Sequence, residues 1–336
     1  MDVIIYGVGR RFHDNIEWLS QKYNVIALVD GNPDKQLKYQ QYDIISPFRL
    51  KDFTYDKLII TPLEYQDIVM LLQALEVSND KIELLVDEKE CGHMWNNISL
   101  IPLYEGGLLC KYDNICFKVK NKSDYMVMDD IFKKNGWDFY TKEKVVVIDI
   151  GMNIGLASLF FANMENVQKV YGYEPFPETY QMALDNIQMN DDKIKEKLIP
   201  HNCGLNDKSQ NIEVLYDSKY TTNMRIDGGQ RLHGEQEKIV QIRTMVASEV
   251  IHNIISEHLD KKIVLKIDCE GSEYSIFDNL LASGMLNKVY IILLETHDGR
   301  ENEIKSILAK CGFVYFDNYV GYYSKLSYIF AINVNI

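Results

Sequence analysis

The stretch Val145-Val-Val-Ile-Asp-Ile-Gly-Met-Asn-Ile-Gly155 decides the fold. Five of its first six residues are apolar and mostly β-branched, the pattern of a strand buried on both faces of a parallel sheet. The run ends at Asp149, bends through Gly151 and Gly155, and enters a helical spacing of Leu156, Leu159, Phe160 and Ala162. Glycines at such a bend let the backbone approach a ligand and present free amides at a helix start. The next apolar run, Val170 to Glu174, also ends on an acid. In open α/β sheets a ligand lies across the carboxyl ends of the strands, and an acid on the second strand takes ribose hydroxyls. A nucleoside-containing cofactor is therefore expected at this edge.

With 336 residues the chain has room for one large domain or two smaller ones. Its 46% hydrophobic and 25% charged residues are those of an ordinary globular protein. A net charge of −13 argues against nucleic acid as a partner, because phosphate contacts need clustered Lys and Arg. No apolar run is long enough for membrane insertion and no charged-then-apolar leader opens the chain, so a cytoplasmic protein is expected. The six cysteines lack a Cys-x-x-Cys pair and read as reduced, buried small hydrophobes. Cys91 and His93 could form half a metal site, but no second pair follows.

Outward from the central stretch, a second strand–glycine–acid unit opens the chain. Asp2 to Gly9 reads as a strand and bend, Phe12, Ile16 and Leu19 as one face of a helix, and Val25 to Asp30 as a strand ending on an acid. Further strands are expected near Tyr42 to Pro47, Lys57 to Thr61 and Ile82 to Val86, with a helix over Tyr65 to Leu75. Residues 1–88 thus form a small doubly wound, Rossmann-like domain that could bind a nucleotide or nucleotide-sugar. Its Gly7-x-Gly9 spacing to Asp30 suits a dinucleotide, yet Phe12 occupies the third glycine position, where bulk crowds helix against strand. Arg10 and Arg11 are the candidates for a phosphate contact; otherwise they mark a solvated helix start.

Residues 89–125 read as a connecting segment with short strands, and Ser123-Asp124 as the cap of a helix running to Phe132. The second domain, 126–336, adds a strand near Lys197 to Asn202, two hairpin arms (Asn211 to Tyr216, Lys238 to Thr244) around a polar loop, and strands ending at Asp268 and Glu295. The loop, 217–237, carries Thr221, Thr222, Asn223, Arg225, Gly228 and Gly229, and long loops in compact domains are usually functional or disordered. The fold class is α/β, two doubly wound units. Three strands of the second unit end in Asp149, Asp268 and Glu295, with Glu270, Glu273 and His297 just beyond. An acid at a strand end is often only a helix cap. Several at one edge repel each other, which raises a pKa or invites a cation, and either suits a general base for a hydroxyl.

Asp149-x-Gly151-x-Asn153-x-Gly155, then Glu174-Pro175, Asn186 and Leu265-Lys-Ile-Asp-Cys-Glu-Gly-Ser-Glu273, resembles the FkbM-type S-adenosylmethionine-dependent methyltransferases over about the last two-thirds of the chain. The resemblance implies a seven-stranded class I methyltransferase sheet with its last strand antiparallel. It also implies methyl transfer to an oxygen, often of a sugar. On this likeness Gly151, Asn153 and Gly155, with Asp149 before them, lie against the methionine part of the cofactor. Glu174, next to Pro175, takes the ribose hydroxyls, and the segment Asn202 to Leu205, including Gly204, lies by the adenine. Ser123-Asp124 matches the segment folded over the cofactor, and Asp268 faces the sulfonium, with Glu270 and Glu273 beside it. Cys269 departs from the commoner β-branched residue and reads as a packing swap.

The expected activity is O-methylation of a sugar or glycan precursor, with His297 or Asp268 as base oriented by Glu270 and Glu295. Alternatively Asp268, Glu270 and His297 hold a divalent metal that lowers the hydroxyl pKa; the metal-free reading is preferred. A small-molecule or glycan substrate is expected, and a homo-oligomer is compatible with the sequence. Two other readings stand beside it. One is a catalytically inactive nucleotide-sugar-binding scaffold; the other is an NAD-dependent oxidoreductase acting through the N-terminal domain, disfavoured by Phe12.

Overall fold

The structure, a computed structural model, describes residues 1–35, 38–62, 65–85, 98–103, 107–133, 136–217, 224–225, 238–319 and 326–336. Cys91 and His93 lie outside them, as do Thr221, Thr222, Asn223, Gly228 and Gly229 of the polar loop. The chain divides into two compact units, Met1–Lys120 and Asn121–Ile336.

In the first unit, Asp2–Tyr6 pairs in parallel with Asn24–Val29 on one side and Lys57–Ile60 on the other. Ile82–Leu84 and Tyr42–Ile45 extend this parallel core, and Lys38–Tyr39 folds back antiparallel at one edge. Helix Arg10–Lys22 buries Phe12, Asn15, Ile16 and Leu19, a single face at helical spacing. The expected crowding by Phe12 is resolved by packing. Its ring is fully buried and meets Tyr39 edge-on at 5.1 Å, so it serves as core. Within 89–125, residues Ile98–Pro102, Leu108–Tyr112 and Ile115–Val119 form an antiparallel three-stranded sheet that falls in the unit Met1–Lys120.

The second unit is built on a seven-stranded sheet. In spatial order its strands are Leu198–His201, Val167–Tyr173, Val145–Ile150, Lys262–Ile267, Ile291–Thr296, Ser327–Asn333 and Phe313–Tyr319. The first five run parallel, and Ser327–Asn333 lies antiparallel to both its neighbours. Val145–Ile150 and Ile291–Thr296 are buried at every position because helices cover both faces. One such helix, Ala247–Glu257, turns Ala247, Val250, Ile251 and Ile254 inward. The hairpin arms pair as Gln210–Tyr216 with Lys238–Val246 and take Gly204–Asn206 into a separate three-stranded sheet. Strand order reverses between Val145–Ile150 and Lys262–Ile267, so the cleft at their carboxyl ends is where this architecture accepts ligands.

Candidate active site

The glycine turn is held by geometry that only glycine supplies. Gly151 has φ +81°, and a Cβ there would stand 1.7 Å from the carbonyl oxygen of Asp268. Gly155 (φ +85°) starts helix Leu156–Asn163 and lies against Ala183. Asn153 also takes positive φ, +52°, and its side chain accepts the Ile154 amide at 2.7 Å. Asn186 Nδ2 donates to the Ile154 carbonyl at 2.9 Å, pinning the turn from the next helix.

At the end of the second strand, the buried Glu174 carboxylate accepts the amides of Asn153 at 2.9 Å and Phe176 at 3.0 Å, one on each oxygen. Each oxygen keeps a lone pair for a further donor. Burial pushes this carboxyl up to about 7, against the pull of those two amides. Asn202 Nδ2 donates to the carbonyls of Glu174 and Pro175 at 3.0 and 3.3 Å, which fixes the backbone around the acid. Gly204 sits opposite Thr244 in the other sheet. Ser123 and Asp124 are buried in helix Lys122–Met128, but the cap is Asn121, whose side chain accepts the Asp124 amide at 2.9 Å. The Asp124 and Glu174 charges both act on the buried Tyr216 hydroxyl, which burial raises to about 12.

Asp149 is fully enclosed. Ser158 Oγ donates to one oxygen at 2.6 Å, and the Lys266 ammonium stands 3.1 Å from the other. The carboxylate therefore holds the turn from beneath, with its oxygens turned to protein groups. Lys266 itself was missed in the sequence, although it sits in the quoted motif. Nothing in the local pattern names its partner, and only the register Asp149↔Lys266 reveals the pair.

The acids beyond the fourth and fifth strands converge. His297 Nδ1 bonds Glu273, while Nε2 lies 3.4 Å from Glu270 and 4.0 Å from Glu295. Asp268, Glu270 and His297 each bring a ligand atom within 4.8 Å of the others. Burial pulls the imidazole down, but the Glu273 bond and the surrounding carboxylates lift it to about 10. That direction favours the charged imidazole beside Glu273 and Glu270, the form that has no lone pair left to take a proton. Desolvation pushes Glu270 and Glu295 each up to about 8, Asp268 adding to both. The Asp268 and Glu270 side chains stay 29% and 22% exposed, so they are the members of the cluster that a ligand can reach. Arg225 of the polar loop binds Asp298 through two bonds of 3.0 and 2.8 Å and lies over Gly271.

In the first unit the two candidate phosphate contacts differ in their surroundings. Arg11 donates to the carbonyls of Thr61 and Leu85 at 2.9 and 3.2 Å, whereas Arg10 is solvated beside Asp14. Asp30 accepts the amides of Val8 and Asn32, both at 2.9 Å.

Residues 149–315 match the family Methyltransferase FkbM domain, and residues 1–83 match the family C2185-like, N-terminal. Among solved structures, Methyltransferase FkbM from Methylobacillus flagellatus aligns over 98% of this chain and 89% of its own, at 13% identity and TM-score 0.39. A putative tRNA (m1A22) methyltransferase from Streptococcus pneumoniae, in complex with S-adenosyl-L-methionine, aligns over 57% of this chain and 66% of its own, at 14% identity and TM-score 0.35. TYW2 from M. jannaschii, in complex with AdoMet, aligns over 75% and 91% at 12% identity and TM-score 0.35. No curated protein matches the chain. The glycine turn, the second-strand acid and the converging acids of the fourth and fifth strands all fall inside one matched region, so that residues 149–315 of the second unit carry a Methyltransferase FkbM domain.

Proposed function

We propose that the chain is an S-adenosylmethionine-dependent O-methyltransferase acting on a hydroxyl of a sugar or glycan precursor. The observation that carries this reading is the Glu174 carboxylate, oriented by two backbone amides beside the Gly151–Gly155 turn. A ligand with vicinal ribose hydroxyls fits a buried carboxylate of that kind, and the acids across the cleft fit a neighbouring positive charge. When bound, S-adenosylmethionine supplies an electrophilic methyl on a sulfonium sulfur that departs as a neutral thioether.

The protein's own residues then have three tasks. Glu174 takes the ribose hydroxyls, and the Gly151 turn brings the backbone close to the methionine part. Asp268 and Glu270, at the accessible rim, hold the acceptor hydroxyl in line with the methyl. Glu270 takes the hydroxyl proton, its carboxyl lying near the working pH. His297, protonated and fixed by Glu273, keeps Glu270 in place. Among the described residues, Arg225 stands at the edge of the acid cluster and lines the acceptor side.

One observation favours a second reading, the approach of Asp268, Glu270 and His297 to a common point. A divalent cation there lowers the hydroxyl pKa directly, while Glu273 on Nδ1 orients the imidazole as carboxylates do behind metal-bound histidines. Calorimetric titration with S-adenosylhomocysteine, with and without EDTA, tests the cofactor reading; micromolar binding in both arms is expected, and no binding refutes it. Transfer of labelled methyl to a panel of nucleotide-sugars, again with and without EDTA, tests the rest. Turnover lost to EDTA and restored by Mg²⁺ or Mn²⁺ moves the assignment to the metal.

A further inference from the structure

Lys266 lies in the interior of the sheet, 2% exposed, with its ammonium among three acceptors. It donates to the Gly151 carbonyl at 2.7 Å, faces Asp149 at 3.1 Å and faces Asp268 at 3.7 Å. The Trp137 ring covers it, with the centroid 5.2 Å from Nζ. These groups belong to both halves of the site. Gly151 is the first glycine of the cofactor turn, and Asp268 opens the acid cluster.

Stability gives no reason for this arrangement. A buried ion pair is often replaced by apolar residues of similar volume at no cost, because desolvation consumes the Coulomb gain. The flanking positions on the same strand, Leu265 and Ile267, are such apolar residues. What an apolar pair does not supply is a donor for the Gly151 carbonyl. That carbonyl follows a residue conformation of φ +81° and a turn packed against the Asp268 backbone, where displacement of either turn moves the other. A Lys ammonium can give one proton to the Gly151 carbonyl while its charge faces both carboxylates.

We propose that Lys266 is a positioning residue that ties the Gly151 carbonyl of the cofactor turn to the Asp268 carboxylate, so that the two halves of the site keep one register. The proposal rests on the methyltransferase reading above. The bland alternative is a counter-ion for Asp149, and the two differ in what happens once Asp149 is neutral. As a counter-ion, Lys266 is dispensable for binding in an Asp149→Asn protein. As a positioning residue, it still orients Gly151 there.

The test is a cycle of four full-length proteins, wild type, Asp149→Asn, Lys266→Met and the double variant, each titrated calorimetrically with S-adenosylhomocysteine. Melting curves of each establish folding; the double variant keeps the test alive if Lys266→Met alone fails to fold, since it buries no unpaired charge. Lys266→Met is expected to weaken binding at least about tenfold, and to do so again in the Asp149→Asn background. Binding within about twofold of the Asp149→Asn single variant overturns the proposal and leaves the counter-ion role. A wild type that binds no S-adenosylhomocysteine overturns the methyltransferase reading itself, a result distinct from equal binding by wild type and variant.

Discussion

Replacing Glu174 by Gln separates what this side chain costs the empty protein from what it gives to binding. Its carboxyl is raised from the ordinary 4.5 to about 7 by burial, a gap worth about 3 kcal/mol between its two protonation states. The sign follows from the direction. A folded-state pKa above the unfolded one favours folding while the group is protonated, and that contribution is lost as pH rises toward and through about 7. Gln cannot ionise, so the difference between wild type and Glu174→Gln isolates this group while other titrations cancel. Between pH 5 and pH 8 the wild type should lose roughly 2–3 kcal/mol relative to the variant. The assay is urea unfolding of both ligand-free proteins across that range, read on the transition that S-adenosylhomocysteine shifts. At pH 8 the variant should also bind S-adenosylhomocysteine about 10- to 100-fold more weakly, the loss of charged acceptors for hydroxyls. A stability difference that stays flat with pH, or that favours the wild type at high pH, refutes the reasoning.

Gly151→Ala adds a left-handed conformation worth about 1–2 kcal/mol to a contact that backbone must move to relieve, so S-adenosylhomocysteine affinity should fall at least roughly 100-fold by calorimetry. Asp268→Ala should keep that affinity within about threefold and lower methyl transfer by about 10²–10⁴, measured with labelled cofactor; normal turnover would remove Asp268 from the chemistry. In the first unit, Arg11→Met should lower unfolding free energy by about 1.5–3 kcal/mol through two lost carbonyl bonds, whereas Arg10→Met should change it by less than about 1 kcal/mol.

The strand cores and the glycine turns were legible because they depend on local pattern. Val145–Ile150 announces a doubly covered strand by its unbroken apolar run, and Gly151 announces a bend that no other residue tolerates. The acids Asp268, Glu270 and Glu295 were legible from their places at strand ends. Features that depend on register or on partners far along the chain were not. The pairing of Lys266 with Asp149 shows only once the two strands are set in register, and the contacts of His297 with Glu273 and Glu270 only once the strand ends converge. Arg11 looks like a phosphate ligand until its guanidinium is found on Thr61 and Leu85. The helix cap was misplaced by two residues because Asn121, Ser123 and Asp124 are all good cap types, and only the hydrogen bond to the Asp124 amide chooses Asn121. Within 89–125 the short strands were expected, but their pairing into one antiparallel sheet depends on partners that local pattern does not name.

The bond from Lys266 to the Gly151 carbonyl joins residues 115 apart in sequence. Contacts of that span close late, since the entropy of the intervening loop must be met before they form. A nascent chain that has passed Gly155 holds the complete glycine turn with nothing yet to press it into shape. The turn acquires its partner only when the strand Lys262–Ile267 has been synthesised and slotted beside Val145–Ile150. A fragment ending before residue 262 therefore carries the glycine motif without the strand that Lys266 and Asp268 bring to it.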